Sequence, residues 1–377
     1  MFKPTGRADM SGPLRDDVWR VCLPGEPAGE RSLACLIRDE QAPPAGYDLY
    51  LTTSPGSAPG PTLRLEPELA HIDAGDIIYV RGDGRRVNVL WKNSANHNAL
   101  LLTEQCDNYC LMCSQPPKDR DDSWLFERAR KVIDLLPGDA QALNFTGGEP
   151  TLNGDAFIGL LEHCQKVAPG LSVHVLSNGR RFADPEFAGR YAAVGLADIM
   201  VGIPVYAPEP GVHDFVVQAV GAFDDTVHGI LNLASLGQAI EIRVVIQRHT
   251  IPVLAELATF ITRNLPFVAQ VALMGLEMTG LARPNSAQVW ADPADYQGEL
   301  VEAVRILTSA GVPTRIYNHQ LCVLDRRLWA YTVRSISDWK NDYLDICQSC
   351  SVRDACGGVF TTSGNRLSQH LHPVPGD

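Results

Sequence analysis

From about residue 99 the chain alternates short apolar runs with longer stretches whose apolar positions recur every three or four residues. ALLLT (99–103), ALNFT (142–146), SVHVLSN (172–178), DIMVGIPVY (198–206), EIRVVI (241–246) and VALMGLE (271–277) have the length and composition of strands. Helical patterns separate them over about 123–136, 155–167, 185–194, 227–236 and 252–264, with a last one at 293–310. Six strands each followed by a helix demand parallel pairing with helical crossovers. Such an α/β sheet is either open and doubly wound or curled into a partial barrel. Both place ligands at the carboxyl ends of the strands.

The first 95 residues read differently, with many Pro and Gly residues and short β-like runs. DIIYV (76–80) and VNVLW (87–91) flank the turn RGDGRR, which predicts a β-hairpin. The pattern therefore divides the chain into a small β-rich domain (1–95), the βα repeat (96–312) and a C-terminal region (313–377).

A chain of 377 residues, 45% of them hydrophobic, can bury one large core and one or two smaller ones. A formal charge of −12 argues against broad binding to nucleic-acid phosphates. No apolar run approaches the roughly 18 residues of a membrane span, and the N-terminal stretch lacks the apolar core of a secretory signal. The expected compartment is the cytoplasm.

There, clustered cysteines point to metal or redox chemistry rather than disulfides. Seven of the ten cysteines fall in two groups. Cys22, Cys35 and Cys164 stand alone and read as small buried hydrophobes. Cys106, Cys110 and Cys113, in TEQCDNYCLMCSQPP, lie just past the first strand, at the active end of the sheet. A structural zinc site takes four protein ligands, and no His or fourth Cys lies close by. Three thiolates on a [4Fe–4S] cluster instead leave one iron open to an external ligand; a catalytic zinc or three inert thiols are the alternatives. The second group, Cys322, Cys347, Cys350 and Cys356, supplies four thiolates and no open position. An iron–sulfur cluster or a zinc ion satisfies that set. Gly357 and Gly358 suit a tight backbone wrap there, and His370 and His372 read as solvent-exposed.

Further candidates sit at strand ends. TGGEPTLN follows the second strand, where Gly147 and Gly148 allow close backbone approach and Glu149 and Pro150 complete the string. Ser177 and Asn178 end the third strand, either as a turn before Gly179 or as ligand contacts. Arg243 lies in an otherwise apolar strand and needs a charged partner, which a ligand carboxylate or a sheet neighbour would supply. Glu277 and Thr279 lie where a substrate would be met.

CxxxCxxC after the first strand of a βα repeat, with GGEP one unit later, resembles the radical S-adenosylmethionine (SAM) superfamily. The resemblance implies a partial (βα)6 barrel, a cluster on Cys106, Cys110 and Cys113, and SAM chelating the open iron. It gives GGEP a contact to the SAM amino group, Ser177 and Asn178 contacts to its ribose or carboxylate, and Arg243 a contact to the carboxylate. Met112 stands where the family usually has an aromatic packed near the adenine. The C-terminal CxxCx5C spacing resembles part of the SPASM and twitch auxiliary-cluster domains, which implies a second [4Fe–4S] cluster. Taken with LMGLEMTGLARPN and SISDWKNDYLDICQSCSVRDACGG, these strings resemble the His-Xaa-Ser system maturases of the HxsC type. That likeness implies a ribosomally made peptide substrate with His-Xaa-Ser repeats, a paired radical SAM maturase and an external electron donor. Alternatives are a radical SAM enzyme acting on a small molecule or nucleobase, and a non-catalytic iron–sulfur electron-transfer or peptide-binding subunit.

Overall fold

The computed structural model describes residues 4–11, 14, 16–26, 32–38, 45–53, 58–337, 340–364 and 366–376. Asp338 and Trp339, within one of the strings above, lie outside the described residues.

Seven short strands near the N-terminus close into a barrel: β1 (Thr5–Ser11), β2 (Asp17–Cys22), β3 (Leu33–Ile37), β4 (Leu49–Thr52), β5 (Thr62–Leu65), β6 (Ile77–Val80) and β7 (Arg86–Trp91). The predicted hairpin is present, with β6 and β7 pairing antiparallel on either side of the Arg-Gly-Asp-Gly turn. Alternate residues such as Val21, Leu36, Leu51, Leu63, Ile78 and Val87 fill the interior. A buried ion pair lies at the open end of that hairpin. Lys92 Nζ lies 2.7 Å from Asp76 Oδ2, and the same carboxylate accepts the Asp73 and Asn93 backbone N–H groups.

The larger body is an eight-stranded parallel sheet built from β8 (Ala99–Leu101), β9 (Ala142–Thr146), β10 (Ser172–Leu176), β11 (Ile199–Pro204), β12 (Ala239–Ile246), β13 (Gln270–Gly275), β14 (Thr314–Tyr317) and β15 (Thr332–Val333). Its spatial order follows the sequence order without a reversal. That excludes the doubly wound alternative, which needs a switch point. Crossovers of one hand then put the helices on one face: α1 (Trp124–Asp134), α2 (Gly154–Val167), α3 (Pro185–Ala193), α5 (Ala222–Ser235), α6 (Leu254–Asn264) and α8 (Gln297–Ser309). Val173, Val175, Val201, Ile203, Ile242, Val244 and Leu273 belong to the main apolar core with these helices. The alternate positions, His174, Gly202, Glu241 and Arg243, carry polar or minimal side chains on the opposite face.

Three differences from the sequence pattern have plain causes. The strands β14 and β15 extend the expected six to eight; each is too short to show a period. The helix expected at 227–236 starts at Ala222, and α4 (Pro210–Val217) precedes it. PGVHDFVV is nearly apolar throughout, so its helical face is not legible. A short helix α7 (Ser286–Val289) and a two-stranded ladder of β16 (Asn341–Asp342) and β17 (Val359–Phe360) are also present, with short 3-10 turns between the elements.

Candidate active site

The loop after β8 and the ends of the following strands surround a cavity of about 370 Å³. Cys106, Cys110 and Cys113 all line it. Asp122, itself buried, shapes the approach to that loop by accepting from the Thr103 hydroxyl at 2.9 Å and the Glu104 N–H at 2.5 Å. The glycines of GGEP press against the same segment. Gly148 N–H donates to Thr103 O at 2.8 Å and Glu149 N–H to Gln105 O at 2.7 Å. A Cβ on Gly147 would stand 2.4 Å from Thr103 O, and one on Gly148 2.0 Å from Gln105 O. These glycines therefore serve close packing onto the cysteine loop as well as lining the cavity.

Burial raises all three thiols: Cys106 is pushed up to about 12, opposed by the Asn108 N–H at 3.4 Å from its sulfur. Cys110 rises by burial and by the proximity of Cys113 and Cys106, and Cys113 rises by burial. Among the described residues no three such side chains already form a closed metal shell; the Cys113 thiol is turned onto Gln115 O at 3.0 Å. Three desolvated thiols facing one cavity nonetheless suit a multivalent cationic centre, which displaces their protons and relieves the burial penalty. The loop after β13 seals this wall. Leu281 N–H donates to Cys113 O at 2.8 Å, and Gly280, at φ +52°, approaches so closely that a Cβ would meet that oxygen at 2.2 Å.

The sequence candidates distribute unevenly. Met112, Gly147, Gly148, Ser177, Asn178, Arg243 and Glu277 line the cavity. Glu149, Pro150 and Thr279 are not among its lining residues. The Glu149 carboxylate is buried and accepts from Thr151 N–H (3.0 Å), the Thr151 hydroxyl (2.6 Å), the Ser177 hydroxyl (2.8 Å) and Asn178 N–H (2.5 Å). Its job is to tie the β9 end to the β10 end. Arg243 has its charged partner within the sheet, Glu241 Oε1 at 2.5 Å. Met112 packs with Tyr206 and Met278 in a small apolar cluster beside the cysteines.

Sequence reasoning passed over three residues. Tyr206, buried at the end of β11, lines the cavity with its hydroxyl kept protonated by burial. Asn318 also lines it at φ +62°, braced by Ser335. Arg180 clamps the cysteine loop, reaching Asp107 Oδ2 at 3.0 Å, Asn108 Oδ1 at 3.1 Å and Asp225 Oδ2 at 3.1 Å. The Asn-Gly turn before Arg180 was the available signal, since Gly179 sits at φ +83° and swings it toward the loop.

The four C-terminal cysteines gather separately from this cavity. Burial raises Cys322, and so does the proximity of Cys356, Cys347 and Cys350. Cys356 Sγ accepts N–H groups from Leu321 at 3.4 Å and Gly358 at 3.5 Å. Gly358 does so at φ +68°, where a Cβ would meet Asp342 O at 2.6 Å. Glu277 joins the two places: it lines the cavity and its carboxylate accepts from Lys340 Nζ (2.9 Å) and the Thr362 hydroxyl (3.0 Å). His370 and His372 are exposed, as expected.

Among known proteins, residues 100–259 match the model of the Radical SAM superfamily. A GTP 3′,8-cyclase from Actinobacillus succinogenes is 29% identical over 136 residues, which covers 35% of this chain and 40% of that protein. The chain thus spans well under half of this relative. Of solved structures, Streptococcus suis SuiB bound to the precursor peptide SuiA is similar with a TM-score of 0.45 at 13% identity, over 59% of this chain and 48% of that one. The protein anSMEcpe with bound AdoMet gives 0.46 at 16% identity, over 58% and 62%. No helix among the described residues is long and apolar enough to cross a membrane. With the three cysteines, Gly147 and Gly148 around one cavity at the strand ends, residues 100–259 match the radical SAM superfamily in both sequence and site.

Proposed function

We propose that this chain is a radical SAM peptide maturase acting on a ribosomally made peptide, one with His-Xaa-Ser repeats. The observation that carries the reading is the convergence of Cys106, Cys110 and Cys113 with Gly147, Gly148, Ser177, Asn178 and Arg243 on one cavity. There Cys106, Cys110 and Cys113 would hold a [4Fe–4S] cluster beside SAM, and the pair would supply reductive SAM cleavage and hydrogen abstraction from the substrate, given one electron from an external donor. The protein's own part is placement and exclusion of water. Arg180 and Asp122 fix the cysteine loop, Met112 and Tyr206 offer an apolar wall, and Arg243 presents a guanidinium whose position Glu241 sets. Cys322, Cys347, Cys350 and Cys356 would hold a second, auxiliary [4Fe–4S] cluster. Their grouping and the N–H groups aimed at Cys356 support this, and their resemblance to the SPASM and twitch spacing favours a peptide substrate and a paired maturase.

The sequence match to a nucleotide cyclase favours a second reading, a small-molecule substrate. Anaerobic reconstitution with dithionite and SAM tests the common core. 5′-Deoxyadenosine is expected well above a Cys106→Ala control, and its absence sinks both readings. Deuterium transfer into 5′-deoxyadenosine from a deuterated His-Xaa-Ser peptide, but not from GTP, then selects the peptide.

A further inference from the structure

The chain doubles back over the second cysteine group after Leu367. Its return is anchored at two places. Gln369 N–H donates to Asp292 Oδ2 at 3.0 Å, and Ser351, next to Cys350, donates its N–H to Val374 O and its hydroxyl to Pro375 O, both at 3.0 Å. Val374 is buried between them. Held this way, the segment turns a main-chain donor onto sulfur. Val374 N–H lies 3.4 Å from Cys350 Sγ.

The local sequence is suited to that task. Val374 stands between Pro373 and Pro375, whose rings fix φ near −65° and carry no N–H. The Val374 N–H is therefore the sole backbone donor across three residues, on a stiff stretch with little freedom to turn it elsewhere. Hydrogen bonds to cluster-ligating sulfurs withdraw electron density and favour the reduced, more negative state.

We infer that the Pro373–Pro375 stretch is a positioning segment that sets the reduction potential of the metal group on Cys322, Cys347, Cys350 and Cys356, by giving the Val374 backbone N–H to Cys350. This rests on the reading of that site as an iron–sulfur cluster. The segment acts through sulfur and touches no substrate.

The test uses full-length protein reconstituted anaerobically in a Cys106→Ala/Cys110→Ala/Cys113→Ala background, so that only the second site can carry iron. An EPR-monitored redox titration reads its midpoint. Val374→Pro removes one N–H while continuing the extended run and is expected to retain iron with the midpoint moved to lower potential. Val374→Ala keeps the N–H and is expected to leave the midpoint in place. Truncation after His372 removes the same Val374 donor and should move it in the same direction, so either variant decides if the other fails to load. An unmoved midpoint in Val374→Pro or in the truncated chain, or an equal shift in Val374→Ala, overturns the inference while the cluster assignment stands. A triple-cysteine variant that binds no iron overturns the cluster assignment, and the inference with it.

Discussion

Glu149 is exposed by only 1%, and four donors meet its carboxylate. Burial raises its pKa, and the hydrogen bonds from Thr151, Asn178 and Ser177 oppose that rise. Glu149→Gln keeps the shape but turns a donor toward donors. The unfolding free energy of cluster-free protein is expected to fall by roughly 2 kcal/mol, measured in urea. A second buried group makes stability depend on pH. Burial lowers His213 to about 4, against a usual value of 6.5, and its Nδ1 accepts the Tyr206 N–H at 3.3 Å. Above 6.5 both folded and unfolded states are neutral there. Below 6.5 the unfolded state takes up the proton first, so stability is lost at about 1.4 kcal/mol per pH unit down to about 4. His213→Asn, whose Oδ1 reproduces the acceptor, should flatten the difference in urea midpoint between pH 7 and pH 5. An unchanged pH dependence would refute this role.

At the scale of elements, the β9 turn and the cysteine loop are one packed unit, since Gly148 sits against Gln105 O and the Cys106 Cβ. Gly148→Ala must push backbone aside, at about 1–3 kcal/mol for overpacking. The expected outcome is less iron per chain after reconstitution. Gly154→Ala, where the nearest atom to the new Cβ is Phe187 at 3.5 Å, is expected to load normally. Equal iron in both variants would argue against the coupling. The same scale shows what was legible. CxxxCxxC and GGEP could be placed on strand ends because apolar runs of five or six residues bracket them. The direction of the Glu149 side chain could not, because its partners at 177 and 178 are nearly thirty residues away.

At the scale of the whole molecule, the small barrel docks on the large sheet through α1. Arg128 lies over the Tyr79 ring at 5.4 Å and the Trp124 ring at 4.9 Å, and Lys131 Nζ reaches Asp17 Oδ1 at 2.6 Å. Val18, Ile77 and Trp91 from the barrel join the main apolar core. Arg128→Ala is expected to cost about 1–2 kcal/mol through lost stacking and stem packing, seen as a lower thermal midpoint and faster proteolysis between 92 and 98. A midpoint equal to that of the parent protein would mean that the apolar contacts alone hold the interface.

The local pattern by itself determined the βα alternation, the hairpin at 76–91, the two cysteine groups and the places of the glycines. Each is a matter of period or spacing within a few residues. Only the tertiary structure decided that the sheet runs in sequence order through eight strands, that Arg243 already has Glu241 as its partner, and that Glu149 braces the wall instead of lining it. It also decided that the segment around Val374 returns to Cys350. These depend on contacts between residues tens of positions apart. No local periodicity encodes them, because the free energy that fixes them comes from desolvation and hydrogen bonding that exist only once the chain has closed on itself.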